Sequence, residues 1–273
     1  MINQETKTIN IITSESVTVQ DMINSIIELD KHVINVLEEI AVDKLNRNKD
    51  SRILFLKNIH DINVNTIIQF SFQTESQNKL TDKDWLKRRL PHLSSSIDSY
   101  SDISKYAFQK NRHIFNQILD NLILNYFFEF ETKVRNIVRS IKNLENPYYN
   151  PKNKKSTLYL KGSEPFGGIR KGLFENHLNL NKKDYEVIGI YSAIRNTIHN
   201  SGFYFSPDSK NSNYIYRTIN YVFEHGKPIS FFTLEMKFNM MKDLLTLFKN
   251  IINHNKVMKI EKVNDLSAEV KFQ

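Results

Sequence analysis

Residues 127–141 decide the fold most clearly, and they read FFEFETKVRNIVRSI. Their apolar side chains recur at steps of three and four residues, the spacing that lines up side chains along one face of an α-helix. An aromatic stripe of this kind is typical of a packing surface in the core. The charged side chains between these positions, among them Glu129, Lys133 and Arg135, are expected mostly at the surface. The stripe consists of Phe127, Phe130, Val134, Ile137, Val138 and Ile141.

Helical patterns extend from this segment toward both ends of the chain. The central helix is predicted over residues 103–144, because Pro147 and Pro151 would end it. Residues 80–101, which contain Pro91 and a serine-rich run, are predicted to be a junction. No glycine or proline precedes Pro91, and the lack of both residues favours long helices over a turn-rich sheet.

Two helices are predicted before the junction. The first begins at Val19 behind a capping box formed by Thr18 and Asp21, and its apolar positions continue to Ala41, so that it would have roughly thirty residues. The second covers residues 51–74. Several of its residues are β-branched and would equally suit a strand. These are Val64, Thr66, Ile67 and Ile68.

After the central helix, the sequence predicts three further elements. Residues 181–200 form a helix capped by Asn181 and ended by Gly202. Residues 213–228 are rich in aromatic and β-branched side chains and end in turn residues, which indicates a small β-hairpin. A last helix over residues 231–254 has one apolar side.

The predicted fold class is therefore all-α, a helical bundle preceded by a long-helix N-terminal region and carrying the small hairpin at residues 213–228. The predicted organisation has three parts. They are an N-terminal helical region at residues 1–101, a helical domain at residues 102–255, and a charged, weakly ordered tail at residues 256–273.

Composition narrows the class of protein. The formal net charge of +8 would attract a polyanion such as RNA, although a bias toward Lys, Asn and Ile codons would produce the same excess. The absence of cysteine excludes disulfides, thiolate metal sites and a cysteine nucleophile. Residues 1–16 lack the apolar core of a signal peptide, and no apolar run has the length of a membrane span. We expect a cytoplasmic protein that has no membrane partner, metal or cofactor.

One segment offers a candidate site, and it reads SAIRNTIHNSG over residues 192–202. His199 follows Arg195 at the fourth position, so both side chains lie on one helical face and could meet the same anionic group. Arg88 and His92 have the same spacing, but Pro91 disfavours helix between them. Spacing alone is therefore weak evidence, because a basic residue in the last helical turn is also a common surface cap.

A glycine-rich segment at residues 161–172 is a weaker candidate. It lacks the glycine offsets and the Lys-Ser/Thr ending of a P-loop, which excludes a nucleoside triphosphatase of that kind. Arg170 and Lys171 could still bind an anionic substrate. The alternative is an ordered connection without a ligand.

The segment Ile194-Arg195-Asn196-Thr197-Ile198-His199-Asn200-Ser201-Gly202, at the end of an apolar helix, resembles the HEPN superfamily. That resemblance covers about residues 103–255, whereas residues 1–101 have no counterpart in it. It implies a four-helix bundle and a metal-independent ribonuclease with a composite site at a homodimer interface. The superfamily pattern places four to six residues between the arginine and the histidine, whereas this chain has three. The shorter spacing rotates His199 relative to Arg195.

The resemblance implies roles for individual residues. Arg195 and His199 match the catalytic pair, and Asn196 matches the polar position beside the arginine. Asn200 is a candidate for substrate binding together with Arg170 and Lys171.

The leading hypothesis is an endoribonuclease that cleaves RNA through attack of the 2′-hydroxyl, as a toxin or anti-phage effector of the abortive-infection type. An antitoxin or another defence protein would then be its partner. The alternative is a non-catalytic module of the same fold that binds RNA or protein.

Overall fold

The structure is a computed structural model that describes residues 18–40, 49–79, 82–89, 91, 100–153 and 156–265. It is mostly helical and contains one small antiparallel hairpin, which confirms the predicted fold class. None of the helices in these ranges is both long enough and apolar enough to cross a membrane. The longer helices are α1 (Val19–Glu39), α2 (Ser51–Lys79), α4 (Tyr100–Ser140), α6 (Glu186–His199) and α7 (Leu234–Ile252). The short helices are α3 (Lys83–Arg89), α5 (Phe166–Ile169) and α8 (Asn255–Met258).

Helix α1 begins where the sequence predicts. The Thr18 hydroxyl accepts from the Asp21 amide, and the Asp21 carboxylate accepts from the Thr18 amide, so both halves of the capping box are present. The helix has 21 residues rather than roughly thirty, because the backbone of Ile40 is extended and ends it. Ala41 lies outside the described residues.

Helix α2 contains the β-branched run that suited a strand equally well. Its buried residues pack against α1 and α4, and this packing outweighs the local preference of Val64, Ile67 and Ile68. Thr66 adapts to the helix by donating a hydrogen bond from its hydroxyl to the carbonyl of Ile62 at 2.7 Å. The helical alternative for residues 51–74 is therefore confirmed, and the helix continues to Lys79.

Helix α4 is the long central helix, and it ends before the prolines that were expected to stop it. Its last residue is Ser140, and Asn143 adopts a left-handed backbone with φ of 57° shortly afterwards. Asparagine tolerates this conformation better than most residues, so a local turn ends the helix. Lys133 was expected at the surface but is buried.

Phe130 of α4 lies at the centre of one continuous hydrophobic core. Its ring contacts Phe55 of α2 and Phe248 of α7, which themselves lie 3.9 Å apart between ring centroids. It also contacts Phe174 at 6.4 Å. Buried residues on both sides of residue 101 belong to this core.

Residues 256–265, assigned from the sequence to a charged tail, pack into the protein. Arg52 donates hydrogen bonds to the carbonyls of Val257 and Ile260, and the Lys133 ammonium lies 2.5 Å from the Asp265 carboxylate. Long-range polar partners thus hold this segment in place, which a local pattern of charges cannot reveal. Residues 266–273 lie outside the described ranges.

The second half of the glycine-rich segment is helical, whereas residues 161–165 form a connection without regular structure. Helix α5 continues into a π-helical segment, Arg170–His177. A Cβ atom at Gly172 would lie 2.5 Å from a methyl carbon of Leu160 and 3.2 Å from the carbonyl oxygen of Glu145, so a side chain there would force its neighbours to shift. Gly172 therefore allows close packing of this helical segment.

The hairpin is confirmed as β1 (Ser212–Tyr216) paired with β2 (Ile219–Phe223). Asp243 of α7 anchors its turn by accepting two hydrogen bonds from Arg217, at 2.7 and 2.8 Å, and one from the Tyr216 hydroxyl. Burial, together with the hydrogen bond to Asp243, raises the pKa of Tyr216.

Replacing Thr218 with glycine is expected to stabilise the protein. The two turn residues, Arg217 and Thr218, have φ values of 47° and 66°, a conformation that glycine adopts without strain and a β-branched residue does not. Relief of that strain should exceed the added entropy of the unfolded chain by about 1 kcal/mol. Urea unfolding monitored by circular dichroism measures the change. An unchanged or lower free energy of unfolding would contradict the assigned turn.

Candidate functional site

Helix α6 presents Arg195 and His199 on a face that turns away from most of its packing surface. The 3₁₀ turn Lys182–Tyr185 precedes the helix, so Asn181, the predicted helix cap, instead caps that turn together with Asp184, and α6 begins at Glu186. The Arg195 side chain is 27% exposed, and His199 is exposed. The buried residues of α6 are Val187, Ile188, Ile190, Tyr191, Ala193, Ile194 and Thr197.

The helix ends directly after His199. The Ser201 amide donates to the carbonyl of Ile198 at 3.2 Å, and the Gly202 amide donates to the carbonyl of Thr197 at 2.9 Å. This pair of bonds is a Schellman motif. Ser201 has a φ of 57° and Gly202 a φ of 92°, so both residues reverse the chain direction. The stop predicted at Gly202 is therefore shared with Ser201.

Glu131 of α4 fixes the Arg195 side chain. The guanidinium donates to one carboxylate oxygen of Glu131 at 3.2 Å, and its carbon lies 5.3 Å from the centre of the Phe127 ring. Phe127 in turn stacks on the buried Tyr191, whose pKa is raised by burial. Arg195 therefore rests on an aromatic layer beside a carboxylate.

Glu131 also binds a second arginine. Arg135 donates to the other carboxylate oxygen at 2.5 Å, and it donates to the backbone carbonyls of Gly162 and Glu164 at 3.0 and 2.7 Å. One carboxylate thus lies between two guanidinium groups, which leaves this cluster with a net positive charge. Arg135 donates four hydrogen bonds in all, whereas Arg195 donates one among the described residues and keeps N–H groups for a ligand.

His199 lies next to Phe128 of α4, with 6.3 Å between the ring centroids. Within the described residues, no hydrogen bond reaches either ring nitrogen of His199. Among the described residues no neighbour therefore favours one tautomer, and the exposed imidazole has no hydrogen bond that a ligand would need to displace.

Asn196 and Asn200 differ in whether their side-chain amides are free to bind a ligand. The Asn200 side chain donates from its amide nitrogen to the carbonyl of Asn196 at 2.8 Å, which supports the end of the helix. Asn196 is exposed beside Arg195, and its side-chain amide makes no hydrogen bond within the described ranges. Asn196 is thus the freer of the two to meet a ligand.

Arg170 and Lys171 belong to a different environment. Arg170 lies near Tyr214. Burial raises the pKa of Tyr214 to about 12, and the positive charge of Arg170 acts against that rise. The Lys171 ammonium lies 5.3 Å from the centre of the Tyr148 ring. Tyr148 lines a cleft of about 720 Å³ together with Lys161 and other residues. Among described residues, no hydrogen bond, ion pair or ring contact joins Arg170 or Lys171 to Arg195 or His199.

The second Arg-His pair is described only at Arg88, which is exposed in α3 one residue before that helix ends, because His92 lies outside the described residues. The prediction that Pro91 separates the two side chains therefore stays a prediction. The structure also brings Glu131 and Phe128 to the candidate site, and neither residue was predicted to lie there. The spacing of Glu131 and Arg135 on one helical face was the only available signal.

Comparisons with protein-family models, with curated proteins and with solved structures find no match. The membership of the HEPN superfamily therefore stays a prediction from the motif. The site consists of the guanidinium of Arg195, the imidazole of His199 and the α4 residues Glu131 and Phe128 beside them. Such a pair can bind a phosphodiester and accept a proton from a nearby hydroxyl.

Proposed function

We propose that the chain is a HEPN-like, metal-independent endoribonuclease. The observation that carries this proposal is the joint position of Arg195 and His199, one turn apart at the accessible end of α6. Glu131 holds the guanidinium, and no neighbour among the described residues occupies the imidazole nitrogens. The net positive charge of the chain favours a polyanionic substrate.

In the proposed reaction, His199 accepts the proton of a ribose 2′-hydroxyl. The 2′-oxygen forms a bond to phosphorus, the bond to the 5′-oxygen breaks, and the leaving oxygen takes a proton from water. Arg195 donates hydrogen bonds to the phosphate oxygens on which negative charge develops. The products are a 2′,3′-cyclic phosphate and a 5′-hydroxyl end.

The ion pair with Glu131 is compatible with this role. A guanidinium has five N–H donors, and the hydrogen bond from Arg195 to Glu131 uses one of them. Glu131 would fix the side chain before the substrate arrives, so that less conformational entropy is lost on binding. Asn196, one residue further, would contact the phosphate or the ribose.

The proposal includes assembly and cellular role. A homodimer would place two Arg195–His199 pairs near one another in a shared site. Release of a toxic or anti-phage ribonuclease in the cytoplasm would require control by an antitoxin or another defence protein.

The test is to incubate the purified protein with a mixed RNA pool, with and without EDTA. We expect cleavage in both samples and fragments that end in a 2′,3′-cyclic phosphate, since no metal ion takes part in the proposed reaction. Loss of cleavage in EDTA, or fragments with a 3′-hydroxyl, would contradict the mechanism.

One observation favours a second candidate function. Glu131 partly neutralises Arg195, and a phosphate must compete with this carboxylate for the guanidinium. A non-catalytic module that binds RNA would tolerate this arrangement. It would retain RNA with an affinity that falls steeply as salt is added, and the RNA would remain uncut.

A further inference from the structure

Helices α2 and α4 enclose a groove that leads toward His199. The two helices run in opposite directions, since Phe70 stacks on Phe115 near one end and Phe55 contacts Phe130 near the other. The groove has a volume of about 390 Å³, which lies within the range of small-ligand pockets. Its lining residues are Ile62, Asn65, Thr66, Gln69, Ile118, Asn121, Leu122, Leu124, Asn125 and Phe128.

Four side-chain amides dominate the polar surface of this groove. Asn65 and Gln69 lie one turn apart on α2, and Asn121 and Asn125 lie one turn apart on α4. All four residues are exposed, and within the described part of the chain their side chains make no hydrogen bond. Each amide offers both a donor and an acceptor. The groove therefore presents facing rows of free hydrogen-bonding groups, and none of its lining residues is charged.

Phe128 connects this groove with the candidate site. Its side chain is 42% exposed, although the ring is large and apolar, and it lies beside the His199 ring. A ligand that fills the groove and stacks on Phe128 thus lies next to the imidazole. Glu129, the adjacent acidic residue, is engaged by Asn58 and Lys133.

The chemistry of the groove fits a nucleobase better than a phosphate. A phosphate group requires cationic donors, and these lie at Arg195 rather than in the groove. Amide side chains pair with the donor and acceptor edges of bases, and an exposed aromatic ring stacks on a base face. These edges are free in single-stranded RNA and occupied in a duplex.

We propose that the groove between α2 and α4 binds a base of single-stranded RNA beside the bond that is cleaved. Asn121, Asn125, Asn65 and Gln69 contact its polar edge, and Phe128 stacks on its face. This inference rests on the proposed function and names its substrate class, an unpaired RNA strand.

An exposed apolar ridge on α2 offers the competing explanation. Val64, Ile68 and Phe72 recur every four residues beside the amide row and are 38%, 45% and 68% exposed. Such a ridge could dock a second copy of this chain. Docking of a second copy on this ridge would give the amides of the groove no partner. Binding of an RNA base uses both the amides and Phe128, and it therefore accounts for more of the surface.

The test measures binding separately from cleavage. The probe is a short, fluorescein-labelled single-stranded oligoribonucleotide with 2′-O-methyl groups at every position, which cannot undergo attack by a 2′-hydroxyl. Fluorescence anisotropy at one fixed salt concentration gives the Kd. We expect a roughly tenfold weaker Kd for Phe128→Ala and for the double variant Asn121→Ala/Asn125→Ala, since one stacked or paired base contributes about this much.

Two controls accompany these variants. Phe128→Tyr keeps an aromatic ring and should retain the wild-type Kd, and Asn116→Ala removes an exposed amide of α4 outside the groove and should do the same. A duplex probe of the same sequence should bind equally to wild type and groove variants. Circular dichroism establishes that each variant is folded.

Wild-type affinity in both groove variants would overturn the inference. So would a loss of dimer on size-exclusion chromatography with no change in Kd, because the groove would then bind another copy of the chain. The proposed function is judged by cleavage of the unmodified oligoribonucleotide. If that RNA stays intact while the groove variants lose binding, the groove inference holds and the ribonuclease proposal fails.

Discussion

Replacing His199 with alanine is expected to lower the rate of RNA cleavage by about 10²–10⁴-fold, which is the usual contribution of a general base. The side chain is exposed and makes no hydrogen bond within the described ranges, so its removal should leave the fold intact. Initial rates on a labelled oligoribonucleotide measure the effect. His113→Ala is the matched control, because His113 is an exposed histidine of α4 with a local partner, Gln117.

Substitutions of Arg195 test the same mechanism at the group proposed to bind the phosphate. Arg195→Ala should reduce cleavage by a similar factor, and Arg195→Lys should rescue it only in part, because an ammonium lacks the planar fork of donors. If His199→Ala or Arg195→Ala cleaved RNA at the wild-type rate while remaining folded, the assigned roles would be wrong.

Replacing Lys133 with alanine is expected to destabilise the protein by about 3–5 kcal/mol, the usual result of leaving one charge of a buried pair without its partner. Lys133 and Asp265 are each only 1% exposed, and their charged groups lie 2.5 Å apart. The same pair holds the C-terminal segment against α4. The free energy of unfolding in urea measures the loss.

The control for Lys133 is a pair on the open surface. Lys31 and Glu28 are both 62% exposed, so Lys31→Ala should cost less than about 1 kcal/mol. Equal effects of the two substitutions would contradict the structural role of the buried pair. The double variant Lys133→Met/Asp265→Leu should recover much of the loss, because neither charge of the buried pair remains and Glu129, which is 26% exposed, keeps its hydrogen bond from Asn58.

Local patterns in the sequence were sufficient to predict most of the helices. Capping by Thr18 and Asp21 set the start of α1, and the stripe from Phe127 predicted the packing face of α4. The burial of Lys133 could not be predicted in the same way. Its partner Asp265 lies 132 residues further along the chain, so only the tertiary structure brings the two charges together.

The candidate site was predictable only in part for the same reason. Arg195 and His199 lie on one helix, and helical spacing places them on one face without further information. Glu131 and Phe128 reach them through the packing of α4 beside α6, which no local pattern specifies. The positions of Arg170 and Lys171 depend on the π-helical segment, which the glycine pattern did not indicate.

The most direct test of the central claim uses two forms of one oligoribonucleotide in the presence of EDTA. One form is unmodified, and the other carries 2′-O-methyl groups at every position. We predict that the wild-type protein cleaves the unmodified form, that the methylated form stays intact, and that His199→Ala cleaves neither at a comparable rate. Equal cleavage of both forms would contradict attack by the 2′-hydroxyl, and no cleavage of the unmodified form would contradict the ribonuclease proposal itself.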